Sequence, residues 1–287
     1  MDLKHLIMLV LQISILATVF TFGLRATIED VLHLLRRPGL LGRSLLAMFV
    51  IMPLLVVVLV RGFTFTPTVE IELLALAIAP IPPLLPRREA KAGGENAYGI
   101  ALMATIGLLS IVLVPLAVAI LGAFFDRAIA MPFSTVAGIV GKSIAAPLVA
   151  GMVVRALLPT VADRIVGPLA MVATVLLVAA ALALVGGNLS AIWTEVGSGN
   201  VLALAIFVIV GLTAGHLLGG PDPNSRIVLA LSTACRHPAI AFAIASSNFP
   251  EHRFGGAILL YMLLGLILGF PYVLWMRRKA AAAAVAA

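Results

Sequence analysis

The chain has 287 residues, of which 62% are hydrophobic and 11% charged, and its mean hydropathy is +1.19. A soluble globule of this length needs more polar surface to cover itself, so the composition excludes one and predicts an all-α protein that crosses a membrane many times. The net charge of +7 sits mostly in short loops between apolar runs, which sets membrane orientation and argues against a nucleic-acid partner, and the single cysteine, Cys235, excludes an intrachain disulfide.

Nine apolar runs of membrane-spanning length follow one another: Leu3 to Leu24, Leu40 to Val60, Thr66 to Leu85, Ala97 to Phe124, Thr135 to Leu157, Arg164 to Val185, Asn200 to Leu218, Arg226 to Asn248 and Gly255 to Met276. The first contains Leu6 to Phe22, longer than a signal-peptide core and without a clear A-x-A site, and is read as a transmembrane helix. After it, Thr27 and Asp30 have near-capping-box spacing, and Ile28, Val31, Leu32 and Leu35 share one face. This predicts a short helix on the membrane surface, ended by Pro38. In the third run Glu70 and Glu72 stand near the helix start, where acids complement the helix dipole. Pro80, Pro82, Pro83 and Pro86 then interrupt it.

In the seventh run Gly211, Gly215 and Gly219 form a stripe that lets another helix of the chain approach closely. Trp193 and Trp275 fall near predicted helix ends, where an indole suits the headgroup layer. The eighth run carries Arg236, His237 and Pro238 near its middle. A central arginine costs about 2.5 to 3.5 kcal/mol on an insertion scale, so it needs a partner, and the proline breaks the helix beside it.

Of the 19 Lys and Arg residues, 13 fall on the side of the loop after the first run and four (Lys4, Arg61, Arg127 and Arg253) on the other, with Lys142 and Arg236 inside helices. The positive-inside rule then puts the N-terminus outside and the C-terminus in the cytoplasm of a cell-membrane protein, and an odd number of crossings keeps the segregation intact.

The two interrupted helices stand five apart in order and so point in opposite directions. In the helices that follow them, Gly99 precedes Pro115 by 16 residues and Gly255 precedes Pro271 by 16. This pattern predicts a single transmembrane domain of two inverted repeats, roughly 1–124 and 164–277, joined by the helix 135–157, with a transport site at the midplane.

The stretch from Phe22 to Leu55 with FGL, RRPG and FVIMPLL, the spacing from Pro80 to Gly94 and Glu95, and the segment LSTACRHPAIAFAIA together resemble the bile acid:sodium symporter family over most of the chain. The resemblance implies a core domain with two crossing broken helices (the second to fourth and seventh to ninth) beside a panel (the first, fifth and sixth), moving a small organic anion by alternating access. Where the family places polar sodium ligands this chain has Met48, Leu85 and Pro86, then Ser232, Arg236 and His237, and a threonine-rich run is reduced to Thr105 near Met103. Sodium needs oxygen ligands and an arginine would repel it, so the resemblance does not carry sodium coupling over. A proton-coupled or uncoupled carrier is the main variant, and no cofactor is implied.

The candidate substrate- or ion-binding residues are therefore Arg236, His237, Ser232, Thr233, Pro80, Pro82, Pro83 and Thr105. Arg236 reads either as a fixed charge that replaces a bound cation or attracts an anion, or as a structural group paired with Glu89 or with carbonyls freed at the break. His237 could carry a proton or bond to backbone. An intramembrane enzyme using Cys235 and His237 is the poorer reading, since residues two apart do not share a helical face. A non-transporting binding protein or sensor is a further alternative.

Overall fold

The computed structural model describes residues 3–125, 129–197 and 199–286, and every regular element in them is helical. Arg127, one of the four basic residues of the less charged side, lies outside the described residues. In chain order, α1 (Leu3–Gly23) and the short α2 (Ile28–Leu32) precede α3 (Pro38–Leu46), a π-helical turn (Ala47–Ile51) and α4 (Met52–Gly62). The helices α5 (Pro67–Ile78) and α6 (Leu85–Ala92) flank the first break, and α7 (Asn96–Phe124) follows. Next come α8 (Phe133–Val140), a second π-helical turn (Gly141–Ala145), α9 (Ala146–Leu157), α10 (Pro159–Gly186), α11 (Leu189–Thr194) and α12 (Asn200–Leu218). The helices α13 (Pro223–Ala234) and α14 (Pro238–Asn248) flank the second break, and α15 (Gly255–Ala286) ends the chain.

Among the described residues eight spans are long and apolar enough to cross a membrane. The run from Thr66 to Leu85 is not one of them, because α5 has only 12 residues and α6 eight. Its chain still passes from one end of the bundle to the other. Thr66 Oγ1 donates to Asn200 Oδ1 at 3.4 Å where α12 begins, and at the opposite end the Ser225 hydroxyl lies 2.9 Å from Glu95 Oε2 where α13 begins.

The reciprocal cap at α2 forms: Thr27 N donates to Asp30 Oδ2 at 2.8 Å and Asp30 N to Thr27 Oγ1 at 3.1 Å. Pro38 does not end that helix. It stands in the first turn of α3, where a missing N–H costs nothing, and α2 has already run out at Leu32. For the same reason α10 starts at Pro159 and not at Arg164. The outermost apolar residues of the segment, Ile28 and Leu35, are exposed, as a surface helix requires.

α1 packs on α9 and α10, α12 packs on α13 and α15, and α7 lies against α6 and α8. The glycine stripe is used within the chain. A Cβ on Gly215 would lie 2.3 Å from the Leu229 carbonyl, and one on Gly211 would lie 2.7 Å from Ala234 Cα, so α12 and α13 meet backbone to backbone.

Candidate functional site

Prolines determine where carbonyls are left without donors. In α5 the carbonyls of Ile78 and Ala79 would be served by the N–H groups of residues 82 and 83, but both are proline and have none. Ala79 turns extended (φ −67°, ψ 146°), which also takes Ile81 N away from Ala77. In the π-helical turn Met52 N reaches back to Ala47 O, so the next donor in that register would be Pro53, which cannot donate, and Met48 O is left free. The second break is extended at Cys235 (φ −104°, ψ 116°) and His237 (φ −70°, ψ 105°), and Pro238 opens α14.

Arg236 satisfies three of these carbonyls, those of Met48, Ala77 and Ala79. Its Nη1 donates to Ala79 O at 3.3 Å, and its Nη2 donates to Ala77 O at 3.3 Å and to Met48 O. Its backbone N–H donates to the Tyr261 hydroxyl at 2.6 Å, which donates in turn to Ala234 O at 2.8 Å, and His237 N donates to Pro80 O at 2.7 Å. The Phe49 ring centroid lies 6.0 Å from the guanidinium carbon. Arg236 is only 1% exposed, and among the described residues no carboxylate contacts it. The planar guanidinium is thus enclosed by three main-chain oxygens where the two interruptions meet.

The ion pair with Glu89 does not form. Glu89 on α6 is buried and Oε1 accepts from Ser232 Oγ at 2.6 Å, while Oε2 has no partner. Ser232 is one helical turn before Arg236, but the extended residue between them turns the guanidinium away from Glu89 and toward α5. Thr233 uses its hydroxyl on Leu229 O at 2.7 Å within its own helix. The His237 ring is buried with both nitrogens unpartnered. Pro80, Pro82 and Pro83 form the first break. Thr105 is buried on α7, and among the described residues no hydrogen bond joins it to the Arg236 cluster.

Two groups escaped the sequence reading. Glu72, expected to face the helix dipole, is completely buried with both carboxyl oxygens unpartnered, because its side of α5 turns inward. Glu70 fits the expectation better, its Oε1 taking the Phe65 N–H at 3.4 Å. Arg87, counted only as a loop charge, donates from Nη1 to Ala170 O on α10 at 3.1 Å and so ties the first break to the helices around α1. An apolar cleft lined by Ile71, Leu74, Ile78, Leu121 and Ile244, with Glu70 and Asn248 as its polar lining, lies between α5, α7 and α14.

Two helices interrupted within an apolar bundle and bonded to each other at their breaks mark an all-helical, multi-pass membrane protein. The model of the Sodium Bile acid symporter family matches residues 12–192, more than half of the chain, and the chain belongs to that family of transporters. The match takes in Met48, the first break and Thr105, while Ser232, Arg236 and His237 lie beyond it. A search of the curated proteins found no match.

Proposed function

We propose that this chain is a secondary transporter of the cell membrane that moves a small organic anion by alternating access and does not require sodium. The observation that supports this reading is the guanidinium of Arg236 bonded to the carbonyls of Met48, Ala77 and Ala79. A permanent cation in that cage repels sodium, and it offsets the exposed carbonyl dipoles that a bound ion would otherwise satisfy. Since Arg236 is enclosed, it favours an anion in the neighbouring path through its field and not by direct contact. The moving parts would be the group around α1, α9 and α10 against the group holding both breaks, arranged as inverted repeats over roughly 1–124 and 164–277 and joined by residues 135–157.

The test is uptake of organic acids into proteoliposomes in sodium, potassium and choline salts. Rates should agree across the three. A steep, saturable sodium dependence would show that other oxygens build an ion site and would overturn the reading.

A proton-coupled carrier has its own support, the unpartnered Glu89 Oε2 and His237 ring nitrogens. Under this second reading an imposed pH gradient accelerates uptake with no sodium present. Counterflow of labelled against unlabelled substrate separates either transporter from a binding protein or sensor, which gives no flux, and an enzyme would change the substrate chemically.

The 13-to-four distribution of basic residues supports an N-terminus outside, with Arg277, Arg278 and Lys279 in the cytoplasm. Single thiols introduced near each end of a Cys235→Ala chain should label from opposite faces of sealed vesicles. Labelling from one face would require an even number of crossings.

A further inference from the structure

We propose that the outward groove between α6 and α15 is a binding site for an anionic phospholipid, with its phosphate at Lys91 and Arg277 and an acyl chain along Leu266, Ile267 and Phe270. These residues, with Ala92 and Val273, line one cavity, and no acidic side chain lines it. On α6, Arg88 and Lys91 are three apart and share a face. On α15, Leu266, Phe270, Val273 and Arg277 recur at four, three and four residues and share another. From Leu266 to Arg277 the groove runs about 16 Å at 1.5 Å per residue, enough for a headgroup and the upper part of an acyl chain.

The cations at the headgroup end, Lys91 and Arg277, are positioned and carry no ion pair among the described residues. Arg277 Nη2 donates to Lys91 O, which draws those two basic residues together, while Arg88 lies deeper, donating from Nη2 to Gly265 O at 2.9 Å and from Nη1 to Cys235 Sγ at 3.5 Å. Gly269 makes this possible, since a Cβ there would lie 2.3 Å from Arg88 Nη2. Among the described residues none of the three takes part in an ion pair, whereas Arg36, Arg37 and Arg155 do. Beside them Leu266 is 55% exposed, Ile267 64% and Phe270 61%, an apolar wall that faces away from the bundle. Clustered cations at one end of an outward apolar groove complement a lipid that carries a phosphate and no cationic group, such as a phosphatidylglycerol, and not a zwitterionic lipid. This inference does not depend on what is transported or on its coupling.

The experiment is native mass spectrometry of the full chain, delipidated in detergent and titrated with phosphatidylglycerol or phosphatidylcholine of the same acyl chains. Wild type should retain one phosphatidylglycerol in preference to phosphatidylcholine. Lys91→Gln with Arg277→Gln should weaken that retention about thirtyfold, while Arg278→Gln with Lys279→Gln, outside the groove, should leave it unchanged. Glycerol 3-phosphate, a headgroup without chains, should not displace the lipid. Equal retention of the two lipids, unchanged retention in the Lys91/Arg277 variant, or displacement by glycerol 3-phosphate at equal concentration would each overturn the proposal. If the double variant fails to give a monodisperse protein, Lys91→Gln alone, at an exposed position, should still weaken retention severalfold, and no change there would overturn it as well.

Discussion

The backbone N–H of His237 donates to the carbonyl of Pro80 at 2.7 Å, joining the two interrupted helices main chain to main chain where both lose their regular hydrogen bonds. Arg236 extends that junction with its side chain, so its removal has two separable effects. Arg236→Met leaves the carbonyls of Met48, Ala77 and Ala79 buried without donors and should lower stability by on the order of 3 kcal/mol, read as a loss of melting temperature in detergent. Arg236→Lys keeps the charge and three donors but not the planar fork, and should lose less stability while keeping part of the sodium-independent uptake. Arg236→Gln should lose most of that uptake, because an amide supplies no fixed charge. Equal uptake by the Gln and Lys variants would show that the charge has no part in transport.

Tyr261 is the brace behind this junction, since its hydroxyl takes the Arg236 N–H and gives its own proton to Ala234 O, and Phe207 packs edge-on against its ring at 5.9 Å. Tyr261→Phe keeps the ring packing and leaves a buried donor and a buried acceptor unpaired. A loss of about 1 to 3 kcal/mol is expected, again from thermal melts, with little change in which anion is carried.

Most of the fold was legible because the features that fix it are local. Apolar length marks the spans, a proline cluster marks the first break and Pro238 beside Arg236 the second, and the Thr27–Asp30 spacing marks the cap on α2. What the sequence could not show are partners that have no side-chain identity. The oxygens that hold Arg236 are backbone carbonyls, and Met48 O is free only because a π-helical turn puts Pro53 where a donor should be. Glu72 looked like a dipole-complementing acid, since which side of α5 faces inward is decided by α14 and the other helices packed on it. Arg88 is, in the sequence, only one of the 13 basic residues of the more charged side, because nothing local indicates that Gly269 opens room for it on α15.

The glycine stripe gives a prediction with an internal control. Gly215→Ala puts a methyl 2.3 Å from the Leu229 carbonyl and 2.5 Å from Ala230 Cα, both backbone, so α12 and α13 must separate, at about 1 to 3 kcal/mol. Gly138→Ala on α8 meets nothing within 4 Å and should be neutral or stabilising by about 0.5 to 1 kcal/mol through helix propensity. Equal melting temperatures for the two variants would mean that α12 and α13 are not in backbone contact.

At the end of the bundle that carries most of the basic residues, Asp222 caps α13, its Oδ2 lying 2.8 Å from both the N–H and the hydroxyl of Ser225. Burial alone would push the Asp222 carboxyl up, but these bonds, the Asn224 N–H and the charge of Arg37 hold it below the ordinary aspartate value. A carboxyl lowered on folding contributes stability that is complete above its unfolded pKa, about 3.9, and is lost as pH falls through the folded value. Asp222→Ala should therefore cost about 0.5 to 2 kcal/mol at pH 7, and the gap to wild type should narrow as pH falls below about 4. Asp222→Asn keeps a capping oxygen without the charge, so it should lie between the two at pH 7 and show a flatter acid limb than wild type. Melting curves of the three proteins between pH 7 and pH 3 test both statements. A gap between wild type and Asp222→Ala that stays constant across that range would show that the cap acts only as a hydrogen bond and not through its charge.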